Sequence, residues 1–159
     1  MASQGEDGRL FLEDLSVGRR FAAGPVRVSP EEVLAYAARF DPQPFHTDPA
    51  TAGHPVLGGH SASGWHTASL TMRMVTEALP LAWGVVGGGG EIAWPRPVRP
   101  GDTLRVEAEV LETGRSRSRP DRGWARLRVT TLNQRDEPVQ VLVTRLIVPS
   151  RVPDSGTSC

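Results

Sequence analysis

Lysine is missing from all 159 residues: the 18 basic side chains are all arginine, set against 18 Asp and Glu for a formal net charge of zero. Without a lysine amine the chain can form no Schiff base and has no phosphate-binding lysine of the Walker type. A neutral chain projects no overall field toward nucleic acid or anionic lipid, so neither is expected as a partner. Cysteine is almost as scarce. Cys159 stands alone at the last position, which excludes an internal disulfide framework and a thiolate metal cluster, and points to a cytoplasmic setting. No apolar run approaches the ~18 residues that span a bilayer, and the first nine residues hold no signal-peptide core, so no membrane association is expected.

What is present suits one globular domain. Chains of this length rarely divide, since cores split only beyond ~250 residues. Hydrophobic residues make up 38%, and the 17 glycines bring the apolar share near half. Residues 1–10 and 151–159 are Gly/Ser/Asp-rich and aperiodic, and are expected to be flexible ends around a single domain over 11–150. Residues 19–28 read as a strand. Ser29, Pro30 and Glu32 then announce a helix over 30–40, and Pro42 forbids its continuation. Asp48 followed by Pro49 predicts a short helical turn over 49–53. Trp65, Ala68, Met72, Val75 and Leu79 recur at three- and four-residue steps, which predicts a long buried helix capped by Ser61 or Ser63 and ended by Pro80. Residues 85–94, 102–112, 122–133 and 138–148 carry strand texture between turn signals and read as a four-stranded antiparallel meander. One strand, short helices, one long helix and several long strands make an α+β pattern, the hot-dog fold, with a curved antiparallel sheet wrapped around one long central helix. Such a sheet leaves a face or edge to cover, so a homodimer is the default expectation.

Two segments could carry chemistry. Asp41 and His46 lie five positions apart in the run 41–46, where Pro42 and Pro44 limit the backbone, so a carboxylate and an imidazole could be fixed toward one volume. On spacing alone the plainer reading leads: Asp41 caps a turn and His46 is a satisfied loop histidine. The second segment, 58–67, is rich in Gly and Ser and opens the long helix. Its free amides and the positive end of the helix dipole could hold a developing oxyanion, with Gly64 as the donor, or the glycines could simply permit a tight turn.

Taken together these segments resemble the MaoC-like dehydratases and (R)-specific enoyl-CoA hydratases. The family's Asp-x-x-Pro-x-His is matched by Asp41, Pro44 and His46, its helix-opening glycine by Gly64, and its entry to the later strands by residues 97–104. The likeness covers roughly residues 12–148. It implies a hot-dog homodimer or dimer of dimers. It also implies a hydro-lyase that adds water to trans-2-enoyl thioesters or dehydrates (3R)-hydroxyacyl thioesters, with Asp41 and His46 as the acid/base pair. Gly64, with Ser63 and Trp65 beside it, would then form the oxyanion and substrate-binding group. No separate cofactor or metal is implied: coenzyme A or the phosphopantetheine of an acyl carrier protein serves as the substrate's handle. The chain departs from the family in placing His60 and Ser61 where aliphatic residues are common, and Ser63 where many hydratases have histidine. Those departures keep in view a non-catalytic or repurposed acyl-binding member of a biosynthetic pathway; a second alternative is a hot-dog thioesterase, in which the carboxylate directs water to the carbonyl carbon.

Other features have plainer readings. The four histidines, His46, His54, His60 and His66, fall at intervals of eight, six and six, none of them the i, i+4 spacing of a helical metal site. Arg115, Arg117, Arg119, Arg122, Arg126 and Arg128 form a basic run accompanied by Trp124 alone, a poor nucleic-acid platform. It reads as a solvated hairpin or, less simply, a contact for coenzyme A phosphates or an acidic carrier protein. Trp65, Met72 and Met74 read as core, and Glu13 and Asp14 as solvated capping residues.

Overall fold

A computed structural model describes residues 7–151. The Ser29 hydroxyl caps the first long helix, α1 (Pro30–Phe40), accepting from the Glu32 amide, with Pro30 at the first helical position. Its buried face carries Val33 and Ala37. Ahead of it lie a single 3-10 turn, Leu12–Asp14, and strand β1 (Arg20–Arg27). A one-turn helix, α2 (Pro44–Thr47), follows, then the central helix α3 (Gly64–Ala78), capped by Ser63. Four strands complete the chain: β2 (Val86–Ala93), β3 (Thr103–Arg115), β4 (Arg122–Leu132) and β5 (Pro138–Pro149).

The five strands form one antiparallel sheet in the order β1-β3-β4-β5-β2, which with α3 against it makes the expected α+β hot-dog arrangement. Only β3, β4 and β5 form the meander. Strand β2 pairs with β5 at the far edge instead of with β3, which corrects the four-strand reading: residues 94–102 carry the chain back across the sheet to place β3 beside β1. Alternation sorts the faces. Leu104, Val106, Ala108 and Val110 on β3 and Ala125, Leu127 and Val129 on β4 are buried toward the core, as a period of two requires. Between them Arg128 and Glu109 form an ion pair, and Arg126 pairs with Glu112, on the outer face.

The central helix differs from its sequence reading in one respect. It buries His66, Thr67, Thr71, Met74 and Val75, while Trp65 is 59% exposed and Met72 43%. Met74 is core as expected; Trp65 and Met72 are not. The apolar stripe counted along the sequence is therefore wider than the face this chain covers alone. Thr71 Oγ1 and Thr131 Oγ1, 2.6 Å apart, tie the buried face to β4.

The ends are also more ordered than composition suggests. Leu10 is buried and bonded to the backbone of Pro80 and Ala82. Asp14, far from solvated, is 4% exposed and takes Arg151 at 2.8 Å, while Glu13 accepts from Arg115 and from Ser150. Leu10 and Arg151 thus join the domain, and the rest of the expected flexible ends, residues 1–6 and 152–159, lies outside the described residues. No helix among the described residues is long and apolar enough to cross a membrane.

Candidate active site

The site is built where three helix termini converge. Helix α1 ends because Pro42 cannot continue it, leaving Asp41 as its C-cap with its amide bonded to Ala37. A carboxylate at a helix C-terminus faces the negative end of the dipole and needs donors to hold it. It has two: Ser63 Oγ donates to Oδ2 at 2.7 Å and Gln43 Nε2 to Oδ1 at 2.6 Å. Burial alone would raise the Asp41 carboxyl, but these two hydrogen bonds and the nearby His46 outweigh it and hold the group below the usual carboxylate range.

His46 is on α2, not on irregular loop, and the helical turn expected over 49–53 lies here instead. Pro44 at the first helical position pre-sets this turn. Asp48 caps only a bend, accepting from the Ala50 amide. The imidazole is buried, and its Nδ1 lies 2.7 Å from the Ser61 carbonyl oxygen. A carbonyl only accepts, so Nδ1 carries a proton and Nε2 is the ring atom turned toward the carboxylate. That Nε2 lies 3.4 Å from Asp41 Oδ2. The pair faces one cleft of about 380 Å³, lined also by Gly64, Phe45, Trp65 and Trp94.

Gly64 begins α3, where the first amides of a helix have no intrahelical acceptor. Among the described residues no hydrogen bond occupies its N–H. A Cβ at this position would stand 2.8 Å from the Trp94 indole, so glycine is required for the indole to close on the helix start. Trp65 meets Trp94 edge to face at 5.2 Å between centroids. Ser63 is placed differently from its sequence role. Its hydroxyl is engaged by Asp41 and by the Trp65 amide, so it positions the carboxylate instead of facing the cleft with a free donor.

Behind these groups stands support that the sequence reading did not assign. The His60 ring donates through Nε2 to the His46 carbonyl at 2.8 Å. Arg99 donates to the carbonyls of Gly59 and His60, each at 3.1 Å, and to that of Leu57. Buried Asp102 holds the Arg99 amide at 2.9 Å. The guanidinium thus clamps the strand of loop that delivers Ser61 to His46. His66 is buried against Tyr36, stacked at 4.7 Å, and His54 accepts from the Val56 and Leu57 amides; neither they nor His60 line the cleft. The Arg115–Arg122 hairpin is remote: in register it sits level with Val148, about seven strand residues or roughly 23 Å from the level of Ala93, next to Trp94.

A family model described as "MaoC like domain" matches residues 14–132, well over half of the sequence. The chain belongs to the MaoC-like domain family. A MaoC-like dehydratase from Rhodospirillum rubrum is 50% identical, with a TM-score of 0.86 over 90% of this chain and 99% of that one. The (R)-hydratase PhaJ1 from Pseudomonas aeruginosa is 26% identical, with a TM-score of 0.69 over 89% of this chain and 87% of that one. The uncharacterized protein YdeM of Bacillus subtilis is 26% identical over 80% of this chain and 91% of its own length. This MaoC-like chain is accordingly of the hydratase/dehydratase kind, and the matched region contains Asp41, His46 and Gly64.

Proposed function

We propose that the protein is a hydro-lyase acting on acyl thioesters, adding water to trans-2-enoyl esters or removing it from (3R)-hydroxyacyl esters. The observation that carries this reading is the 3.4 Å approach of Asp41 Oδ2 and His46 Nε2 in one cleft with the Gly64 amide. A water in this cleft beside the two groups can give its proton to one while the other orients it. In hydration the water oxygen bonds to Cβ, one of the pair removes its proton, and the π electrons move through Cα to the thioester oxygen. That enolate oxygen is held by Gly64 N–H. The pair then returns a proton to Cα, so one water is consumed and no redox change occurs. The held ester is that of coenzyme A or of a carrier protein's phosphopantetheine, and the working form is a homodimer or dimer of dimers in the cytoplasm. The exposed apolar residues of α3 and the unpaired edge of β2 support the dimer.

The test is loss of the conjugated double bond of short and branched enoyl-CoA esters. Asp41→Ala and His46→Ala should each lower turnover by at least ~100-fold with the circular dichroism unchanged. Near-normal rates in either variant refute the assignment. A thiol assay run alongside separates a thioesterase, which releases free thiol, and ester binding without turnover would mark a non-catalytic acyl binder.

A further inference from the structure

Between α3 and the sheet lies a second, narrower space of about 150 Å³, lined by Thr71, Met72, Val75, Leu127, Leu142 and Gln140 among others. Its wall is overwhelmingly aliphatic, yet Gln140 is fully buried on it. A leucine would fill such a position at no polar cost, so each atom of this amide needs an account. Half of it has one: Trp94 Nε1 donates to Gln140 Oε1 at 3.0 Å. Indole N–H is a donor only, so this bond fixes which end of the amide is oxygen. The other half has none. Gln140 Nε2, with two hydrogens to give, is buried and meets no acceptor among the described residues. Across the ladder Gln140 is in register with Thr131, whose hydroxyl bonds Thr71 and makes no bond to Nε2.

Trp94 also relates this space to the cleft. Its indole closes on Gly64 with one part and bonds Gln140 with its N–H, so Gln140 stands about one indole away from the helix start. We propose that Gln140 is a specificity residue whose Nε2 donates to an uncharged oxygen (keto, hydroxyl or ether) borne by the substrate's acyl chain a few bonds beyond the reacting carbons. This rests on the hydro-lyase reading for the direction in which the chain enters. No cationic side chain lines the space, so a chain ending in carboxylate would be desolvated without compensation and is not the preferred substrate. A site built to pair a substrate oxygen discriminates against the analogue lacking it, because its own donor is then left unpaired.

The experiment uses saturated, unreactive acyl-CoA esters: one all-carbon chain, and isosteres in which an ether oxygen replaces successive methylenes. Affinity is measured by calorimetry on the wild-type protein, Gln140→Leu and Gln140→Met. One isostere should bind the wild type about ten-fold tighter than the all-carbon ester, and both variants should lose that preference. If no isostere outbinds the all-carbon chain, if none of the esters binds, or if the variants keep the preference, the inference falls. Should neither variant fold, the wild-type series alone decides it. Parallel enoyl esters keep the two readings apart. Oxygen preference in binding without hydration retires the hydro-lyase alone, and hydration without that preference retires the Gln140 assignment alone.

Discussion

At the scale of single residues, the behaviour of the site follows from who donates to whom. Ser63 Oγ lowers the Asp41 carboxyl pKa by donating to its anion. Ser63→Ala therefore raises that pKa, and the acid limb of the kcat/KM profile should move to higher pH. An unmoved limb would show that Asp41 is not the group titrating there. The same depression contributes to folding. Because the folded pKa lies below the unfolded one, the contribution is present at neutral pH and is lost as pH falls through the folded value. His66 acts in the same direction for a different reason. Burial lowers its pKa, only partly countered by Glu32, so the folded state holds the ring neutral. Stability should fall as pH drops below about 6.5, where the unfolded imidazole gains its proton. Thermal melts between pH 7 and 5 should show a shallower decline for His66→Phe, which keeps the stacking on Tyr36 and removes the titration. The sequence was informative at this scale about residue types and silent about partners. Asp41, His46 and Gly64 stood out through their match to the family's Asp-x-x-Pro-x-His and helix-opening glycine, since spacing alone left a capping carboxylate and a loop histidine open. Arg99 gave no signal, since a clamp on three backbone carbonyls looks from the sequence like any surface arginine.

Elements explain the misplaced turn. Local rules favour Pro49, since Asp48 before it is a good N-cap while Gln43 before Pro44 makes no side-chain cap bond, and here tertiary contact overrides them. The turn forms at Pro44, where the Ser61 carbonyl is available to bury His46, and Asp48 is left capping a bend. Strand texture was equally legible, but the place of β2 was not. Its Gly-rich stretch 87–90 pairs against β5 with a register shift, and a Cβ at Gly90 would lie 2.4 Å from the Val143 carbonyl oxygen. Two consequences can be measured on elements. Gly64→Ala must push the Trp94 indole away from the start of α3, at a cost typical of overpacking, about 1–3 kcal/mol. Combining it with Trp94→Ala should recover part of that loss in denaturant titration, whereas strict additivity would place the clash elsewhere. Arg99→Met should leave the sheet intact while amides of residues 57–61 exchange faster with solvent, and turnover should fall with them.

For the whole molecule, the sequence yields the hot-dog class because one helix of fifteen residues and several long alternating strands admit few packings. It overstates how much of α3 one chain can cover. Tyr36, Phe40, Trp65 and Met72 form an open apolar surface, and β2 ends the sheet with an unpaired edge. If a second copy covers them, sedimentation should report a dimer, and Met72→Glu should shift it toward monomer with its fold retained. A wild-type monomer at micromolar concentration would contradict that assembly. The clasp of Glu13 and Asp14 with Ser150 and Arg151 has a further consequence, because it brings the first and last described segments together. The polypeptide is topologically close to a ring. New termini opened between Arg117 and Ser118, in the exposed β3–β4 turn, with a short peptide joining the old ones, should give a permutant that folds around the same helix.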